Sequence, residues 1–189
     1  MAHANNSIIT GKFQGMLGKE LVFKNWDGKT IVAKAPKKRE GEPSAAQIGT
    51  QEKFLLASRY AKAVVKDANP AMREAYAAVL RPRQNVYSRA LEDFMSVPVI
   101  KKIDTRLYSG ADNDDIVIRA LDDFRVVSVR VEIYSANGAL LETGDAEQNA
   151  NGIDWTYSAT LVNTPLAGTR IKAFATDLPG NEGMLEITL

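Results

Sequence analysis

The sequence predicts an α+β N-terminal region, built as a β-hairpin plus three helices, followed by an all-β sandwich of seven strands. Three observations carry that expectation. The apolar period is close to 3.6 from about residue 44 to residue 96 and becomes 2 beyond Val97-Pro98-Val99. The run Val127-Ser128-Val129-Arg130-Val131-Glu132-Ile133-Tyr134 places four β-branched residues on one face and polar or amphipathic ones on the other, as in a strand with one face buried. Asp27-Gly28 separates two apolar-rich runs, a hairpin signal because the primed turns need positive φ, which glycine tolerates.

Taken in order, Gly11, Gly15 and Gly18 punctuate the first segment, suiting sharp bends or close backbone approach. Strands are expected at Ile8–Thr10, Leu21–Trp26 and Lys29–Ala35. An exposed linker, Pro36 to Pro43, comes next. Ser44-Ala45-Ala46-Gln47 matches the capping-box pattern and should open a helix running to about Lys66, with Phe54, Ala57, Ala61 and Val64/Val65 on its inner face. Asn69-Pro70 caps and starts a second helix with Met72, Tyr76, Val79 and Leu80 as its stripe, and Arg81-Pro82 breaks it. A third helix, about Gln84–Ser96, offers Tyr87, Leu91, Phe94 and Met95.

The domain boundary is expected at Val97–Val99, dividing a glycine-rich hairpin and helical domain (1–97) from a β-sandwich (98–189). The strands of the second domain should be Lys102–Leu107, Asp115–Ala120, Val126–Tyr134, Leu140–Thr143, Trp155–Leu161, Thr169–Thr176 and Gly183–Leu189. Asn137-Gly138, Asn151-Gly152, Pro165 with Gly168, and Pro179-Gly180-Asn181 supply the turns. This spacing fits an immunoglobulin or fibronectin-like sandwich better than a closed barrel, with a jelly-roll variant as the alternative.

Composition bounds the function classes. The 189 residues are 45% hydrophobic and 25% charged, as in folded globular proteins. Cysteine is absent, which excludes disulfides, thiolate metal sites and Cys nucleophiles. Small secreted domains often need such staples, so the setting expected is intracellular or assembled. Met1-Ala2-His3-Ala4-Asn5-Asn6-Ser7 has neither the basic start nor the apolar stretch of a signal peptide, so synthesis in the cytoplasm is expected. No window approaches the roughly 18 apolar residues of a membrane span. Net charge is +1 but uneven: residues 1–97 hold sixteen Lys and Arg against nine Asp and Glu, and residues 98–189 hold eight against fourteen. Drift between domains explains this, as does a basic half that meets an acidic partner or a head-to-tail stacking of subunits.

Two resemblances follow from short patterns. Phe174 to Gly183, with Ala175, Asp177, Gly180 and Asn181 at the marked positions, resembles the last hairpin of bacterial immunoglobulin-like modules. Ile9-Thr10-Gly11-Lys12-Phe13, Gly15, Gly18, Trp26 with Gly28-Lys29, Ala35-Pro36-Lys37-Lys38 and Gln51 through Phe54 resemble a domain of unknown function seen largely in Bacteroidota. Neither resemblance implies catalytic residues. Immunoglobulin-like modules on small proteins also look like decoration, fibre or tail components of bacteriophage particles, an analogy of fold.

Candidate sites are few. His3 is the sole histidine and lies in the terminal segment, so no Ser-His pair or His-rich metal site is expected, and no apolar-framed carboxylate pair stands out. The expectation is a non-enzyme without a cofactor. In a sandwich of this order the loops after the second, fourth and sixth strands share one pole. They would collect Asp122, Asp123, Asp145 with Glu147 and Asn149, Asp177, Asn181 and Glu182, oxygen donors of the kind Ca²⁺ takes, or simply solvated loops. Asp112 to Asp115 should lie at the opposite pole as turn residues. Lys34, Lys37, Lys38 and Arg39, with Lys12, Lys19, Lys24 and Lys29 near them in sequence, form a basic cluster beside Trp26 and Phe23, which are placed to stack on bases. It reads as a nucleic-acid surface, a protein-partner surface, or a charged edge that discourages strand aggregation. Trp155 and Tyr157 share a strand face, as core or as an exposed glycan or protein platform. The reading these support is a structural or assembly protein, a homo-oligomer or a subunit of a larger complex such as a virion. An immunoglobulin-like module for glycan or Ca²⁺ and a nucleic-acid-binding protein are the alternatives.

Overall fold

The computed structural model describes residues 2–4, 14–26, 29–37, 41–66 and 70–189, without the side chains of 2–4 and of Trp26. The expected strand Ile8–Thr10, the Asp27-Gly28 turn, the Asn69 cap, and Lys12, Lys38 and Arg39 lie outside the described residues, as do the side chains of His3 and Trp26.

The chain divides into two compact units, Met1–Ser44 and Ala45–Leu189. The first is a four-stranded antiparallel sheet of β1 (Ala2–Ala4), β2 (Gly15–Leu17), β3 (Leu21–Trp26) and β4 (Lys29–Lys34), in the order β1-β4-β3-β2. β3 and β4 pair from Leu21 opposite Lys34 to Trp26 opposite Lys29, the hairpin expected from sequence. β2 joins β3 through Gly18 and Lys19, both at positive φ (61° and 59°), with the Glu20 amide donating to the Leu17 carbonyl at 3.1 Å. The edge strands β1 and β2 have three residues each, too short for a period-2 pattern to reveal.

The second unit opens with α1 (Ala45–Lys66), α2 (Pro70–Ala77) and α3 (Val86–Met95). α1 starts immediately after Ser44, and α2 at Pro70, as the start signals indicate. Ala61, Val64, Tyr76 and Ala90 form the helical core, with Met72, Tyr87 and Leu91 packed against it. The buried seam of α1 is Ala57, Ala61 and Val64, narrower than the expected stripe: Phe54 and Val65 stay exposed, as do Val79 and Leu80 after α2. Small residues at i and i+4 let helices approach closely, which leaves larger flanking side chains at the margin.

Seven strands follow: β5 (Val99–Asp104), β6 (Asp115–Leu121), β7 (Val126–Tyr134), β8 (Leu140–Gln148), β9 (Asp154–Ser158), β10 (Arg170–Asp177) and β11 (Glu182–Thr188). They form one antiparallel sheet in the order β11-β10-β7-β8-β9-β6-β5. β8 is the corner strand. It pairs with β7 from Leu140 to Ala146, then with β9 through Glu147 and Gln148. The sheet curls until β11 at one edge lies beside β5 at the other, a nearly barrel-like arrangement. Ile116, Ile118, Val129, Val131, Ile133, Ile171, Ala173 and Ala175 fill its interior, with Trp155 and Tyr157 buried beside them. The protein is thus mixed α+β with a mostly β C-terminal part.

Several boundaries differ from expectation. β8 extends to Gln148, beyond the expected Thr143, so Asp145 and Glu147 are strand residues opposite Arg130 and Thr156 and not members of a polar loop. Val127 is exposed although Val129, Val131 and Ile133 are fully buried, because the β7–β10 register shifts between Thr176 and Asp177. A bulge of this kind re-aims the residues beside it. The seam placed at Val97–Val99 falls inside the second unit, where β-layer loops enter the helical core: Phe124 and Leu178 both pack against it.

Candidate functional site

The pole where α3 meets the β-layer is a polar clamp. Arg89 and Asp93, one helical turn apart on α3, are both buried. Arg89 reaches the β6–β7 loop, donating through Nη1 to the Asp123 carboxylate and through Nη2 to the Asp123 carbonyl at 2.6 Å. Arg81 adds a second cation, at 2.9 Å from Asp123 and 2.8 Å from Glu92. Arg89's hydrogen bond holds the Asp123 carboxyl below its ordinary value, ahead of the opposing effect of burial. Burial works against the Arg89 charge, and Asp123 with Glu92 outweighs it, so Arg89 stays a firm cation. Phe124 fills the space beside this pair, stacked on Tyr76 with ring centres 4.6 Å apart and flanked by the guanidinium groups of Arg89 and Arg125 at 5.7 and 5.5 Å.

Behind it runs a chain of hydroxyls. Tyr60 and Tyr76 share a hydrogen bond of 2.8 Å, and the Tyr76 hydroxyl donates to Asp93 Oδ2 at 2.5 Å. Burial first, and then Asp93, pushes the Tyr76 phenol far above its ordinary value. On the other side the β10–β11 turn closes on itself: Asn181 donates from its amide and from Nδ2 to Asp177 at 2.6 and 2.7 Å, and Nδ2 also reaches the Phe94 carbonyl at 3.2 Å. The carboxylates expected at one pole therefore separate by role. Asp122, Asp123, Asp177 and Asn181 do converge, at the helices. Asp122 Oδ2 accepts from the amides of Phe124 and Arg125, both at 3.1 Å. Asp145 lies along β8, and Glu182 opens β11 within 3.8 Å of Arg130. Among the described residues no group of three or more His, Asp or Glu is arranged to hold a metal ion.

The outer faces of the sheet carry ordered charge. Lys102, Arg119 and Asp154 stand in register across β5, β6 and β9. Arg119 grips Asp154 through Nε and Nη2 at 2.7 and 2.9 Å, and Arg106 grips Asp104 likewise at 2.9 and 2.7 Å. These residues line a shallow hollow of about 480 Å³ with Leu107 and Val117. On the opposite side, Asp145, Arg130, Phe174 and Met184 form a row across β8, β7, β10 and β11. The Arg130 guanidinium lies 4.2 Å from the Phe174 ring centre and pairs with Glu132. Arg170 and Lys172 flank the Tyr134 ring at 5.4 and 5.2 Å, and Met184 is 56% exposed.

In the first unit Lys19, Lys34 and Lys37 line a shallow hollow of about 560 Å³ with Leu21 and Pro36. Three of the expected basic residues thus share a surface. Asp114 accepts from the amides of Ser109 and Ala111 and from the Ser109 hydroxyl, the turn role expected of the 112–115 run.

Sequence reasoning missed Arg89, Asp93 and Tyr76 as a polar set. Arg89 and Asp93 fall on the same side of α3 as the small Ala90, a signal that helical spacing contains but that a search for apolar stripes passes over.

No family model matches the sequence, and neither does any curated protein. Among solved structures, a tetra-tandem repeat in the extending region of a large adhesion protein is similar over 48% of this chain and 23% of its own, at 17% identity and a TM-score of 0.36. An engineered protein is similar over 65% of this chain and 26% of its own, at 20% identity and a TM-score of 0.32. The chain thus spans about a quarter of the length of either. Likenesses at this level define neither fold nor function.

Proposed function

We propose that the protein is a non-enzymatic structural subunit, a component of a larger assembly such as a bacteriophage particle, and that its β-layer is an immunoglobulin-like contact module. The strand order supports the module: β5-β6-β9-β8 and β7-β10-β11 reproduce the two strand sets of the immunoglobulin arrangement, with β8 as the bridge. The row Asp145–Arg130–Phe174–Met184 carries the functional reading. It combines an aromatic ring, an arginine and an exposed methionine inside a charged rim, the composition of a protein-contact centre. Its occupant in this reading is a neighbouring copy of the chain, because a two-fold pairing of the row would set the Arg130 of each copy against the Phe174 ring of the other, the contact these two groups already make within the chain.

Light scattering of the full chain at high concentration tests this. A discrete oligomer is expected, and Phe174→Glu with Met184→Glu should convert it to monomer while leaving the thermal transition in place. A wild-type chain that stays monomeric at high concentration, with no particle co-purifying, overturns the proposal.

A further inference from the structure

The joint between the helices and the β-layer surrounds a carboxyl whose charge nothing fully compensates. Asp93 is completely buried; its Oδ2 accepts the Tyr76 hydroxyl, and its Oδ1 has no hydrogen-bond partner among the described residues. Charged and titratable groups face it from each element packed there. α1 contributes Tyr60, and α2 contributes Tyr76. Arg89, on α3 itself, is committed to Asp123 and Glu92. The β6–β7 loop brings Asp122, whose Oδ1 is also buried and unpartnered among the described residues, and Arg125, which flanks Phe124. β10 ends in Asp177, both of whose oxygens are taken by Asn181.

A buried carboxylate with one orphaned oxygen and two acidic neighbours gains by holding a proton. Burial, then Asp122 and Asp177, pushes Asp93 up to about 6 against the lowering pull of the Tyr76 hydrogen bond and Arg89. Asp177 is raised as well, by burial first. We propose that Asp93 is a proton-operated latch: protonated, it holds α2 and α3 closed on the β6–β7 and β10–β11 loops, and ionised, it loosens that joint between mildly acidic and neutral pH.

The sign follows from linkage. A carboxyl raised in the folded state favours folding below its ordinary value, and that advantage is lost as pH rises through about 6. Asp104, Asp114, Asp123, Asp154 and Glu132 are held low and act in the opposite sense, in a more acidic range. His3, the sole histidine, is removed from the window by a His3→Gln background.

Hydrogen exchange of α2 and α3 in the full-length His3→Gln chain, corrected for intrinsic rates, is the test. Between about pH 5 and pH 7.5, local opening should increase about tenfold and level off above the upper end of the transition. Asp93→Asn should flatten the profile. Asp122→Asn removes a like charge and should move the midpoint to lower pH; Tyr76→Phe removes the donor that favours the ionised form and should move it to higher pH. If Asp93→Asn does not fold, these opposed shifts decide the matter. A flat wild-type profile, or a midpoint that neither Asp122→Asn nor Tyr76→Phe moves, overturns the latch.

Discussion

At the scale of single residues, backbone approach explains a position that composition cannot. A Cβ on Gly183 would stand 1.8 Å from the Pro98 carbonyl oxygen and 2.9 Å from its carbon. Both are backbone atoms, so β11 and the segment entering β5 would have to part. Gly183→Ala is therefore expected to cost about 1–3 kcal/mol in urea unfolding, the range of an overpacked core. Gly144 is tight in a different way: an added Cβ meets the Tyr157 ring edge at 2.8 Å, and that ring sits against buried Glu142, which accepts from the Tyr157 hydroxyl at 3.2 Å and from the Thr160 amide and hydroxyl at 2.8 and 2.6 Å. Alternation along β8 marks Glu142 as inward-facing, but only the neighbouring donors make an inward glutamate tolerable.

Among elements, α3 shows best where sequence patterns hold and where they stop. Its start is set locally: Asn85 Oδ1 accepts the Ser88 amide at 2.8 Å, and Ser88 Oγ accepts the Asn85 amide at 3.0 Å. Removing this reciprocal cap with Asn85→Ala should lower stability by about 1 kcal/mol, measured by urea or thermal unfolding. The apolar positions Tyr87, Leu91, Phe94 and Met95 are all part-buried, whereas the deepest sites belong to Arg89, Ala90 and Asp93. Helical period locates a face; it does not say that a guanidinium on that face will find Asp123 on a loop thirty-four residues away. The same limit applies to Val127, whose strand alternates correctly and yet leaves it exposed, because Val127 is the extra residue of a bulge: Val126 and Ser128 face the consecutive Asp177 and Thr176 of β10.

On the scale of the whole molecule, the helices and strands of residues 45–189 share a core through Phe124 and Leu178. Helix loss followed by far-UV circular dichroism and loss of the seven-stranded sheet followed by Trp155 fluorescence should then coincide in urea. A Trp26→Phe background makes Trp155 the only tryptophan reporting. Two separated midpoints would instead support independent folding units meeting at Val97–Val99.

The sequence by itself determined the order and kind of nearly every element from Leu21 onward, because a period of 3.6 or 2 and a Gly, Pro or Asn stop are local properties of the chain. It also marked Trp155 and Tyr157 as one face of a strand, and it grouped Asp122, Asp123, Asp177 and Asn181 at one pole together with Asp145, Glu147, Asn149 and Glu182, of which Asp145 and Glu147 are strand residues of β8. Tertiary structure decided what that pole meets. Phe124 enters the helical core, Arg89 pairs with Asp123, and Asp93 is sealed between them beside Asp122 and Asp177. Those outcomes depend on contacts between residues far apart in the chain, and the free energy of a charge depends on its surroundings once buried, which no local pattern encodes.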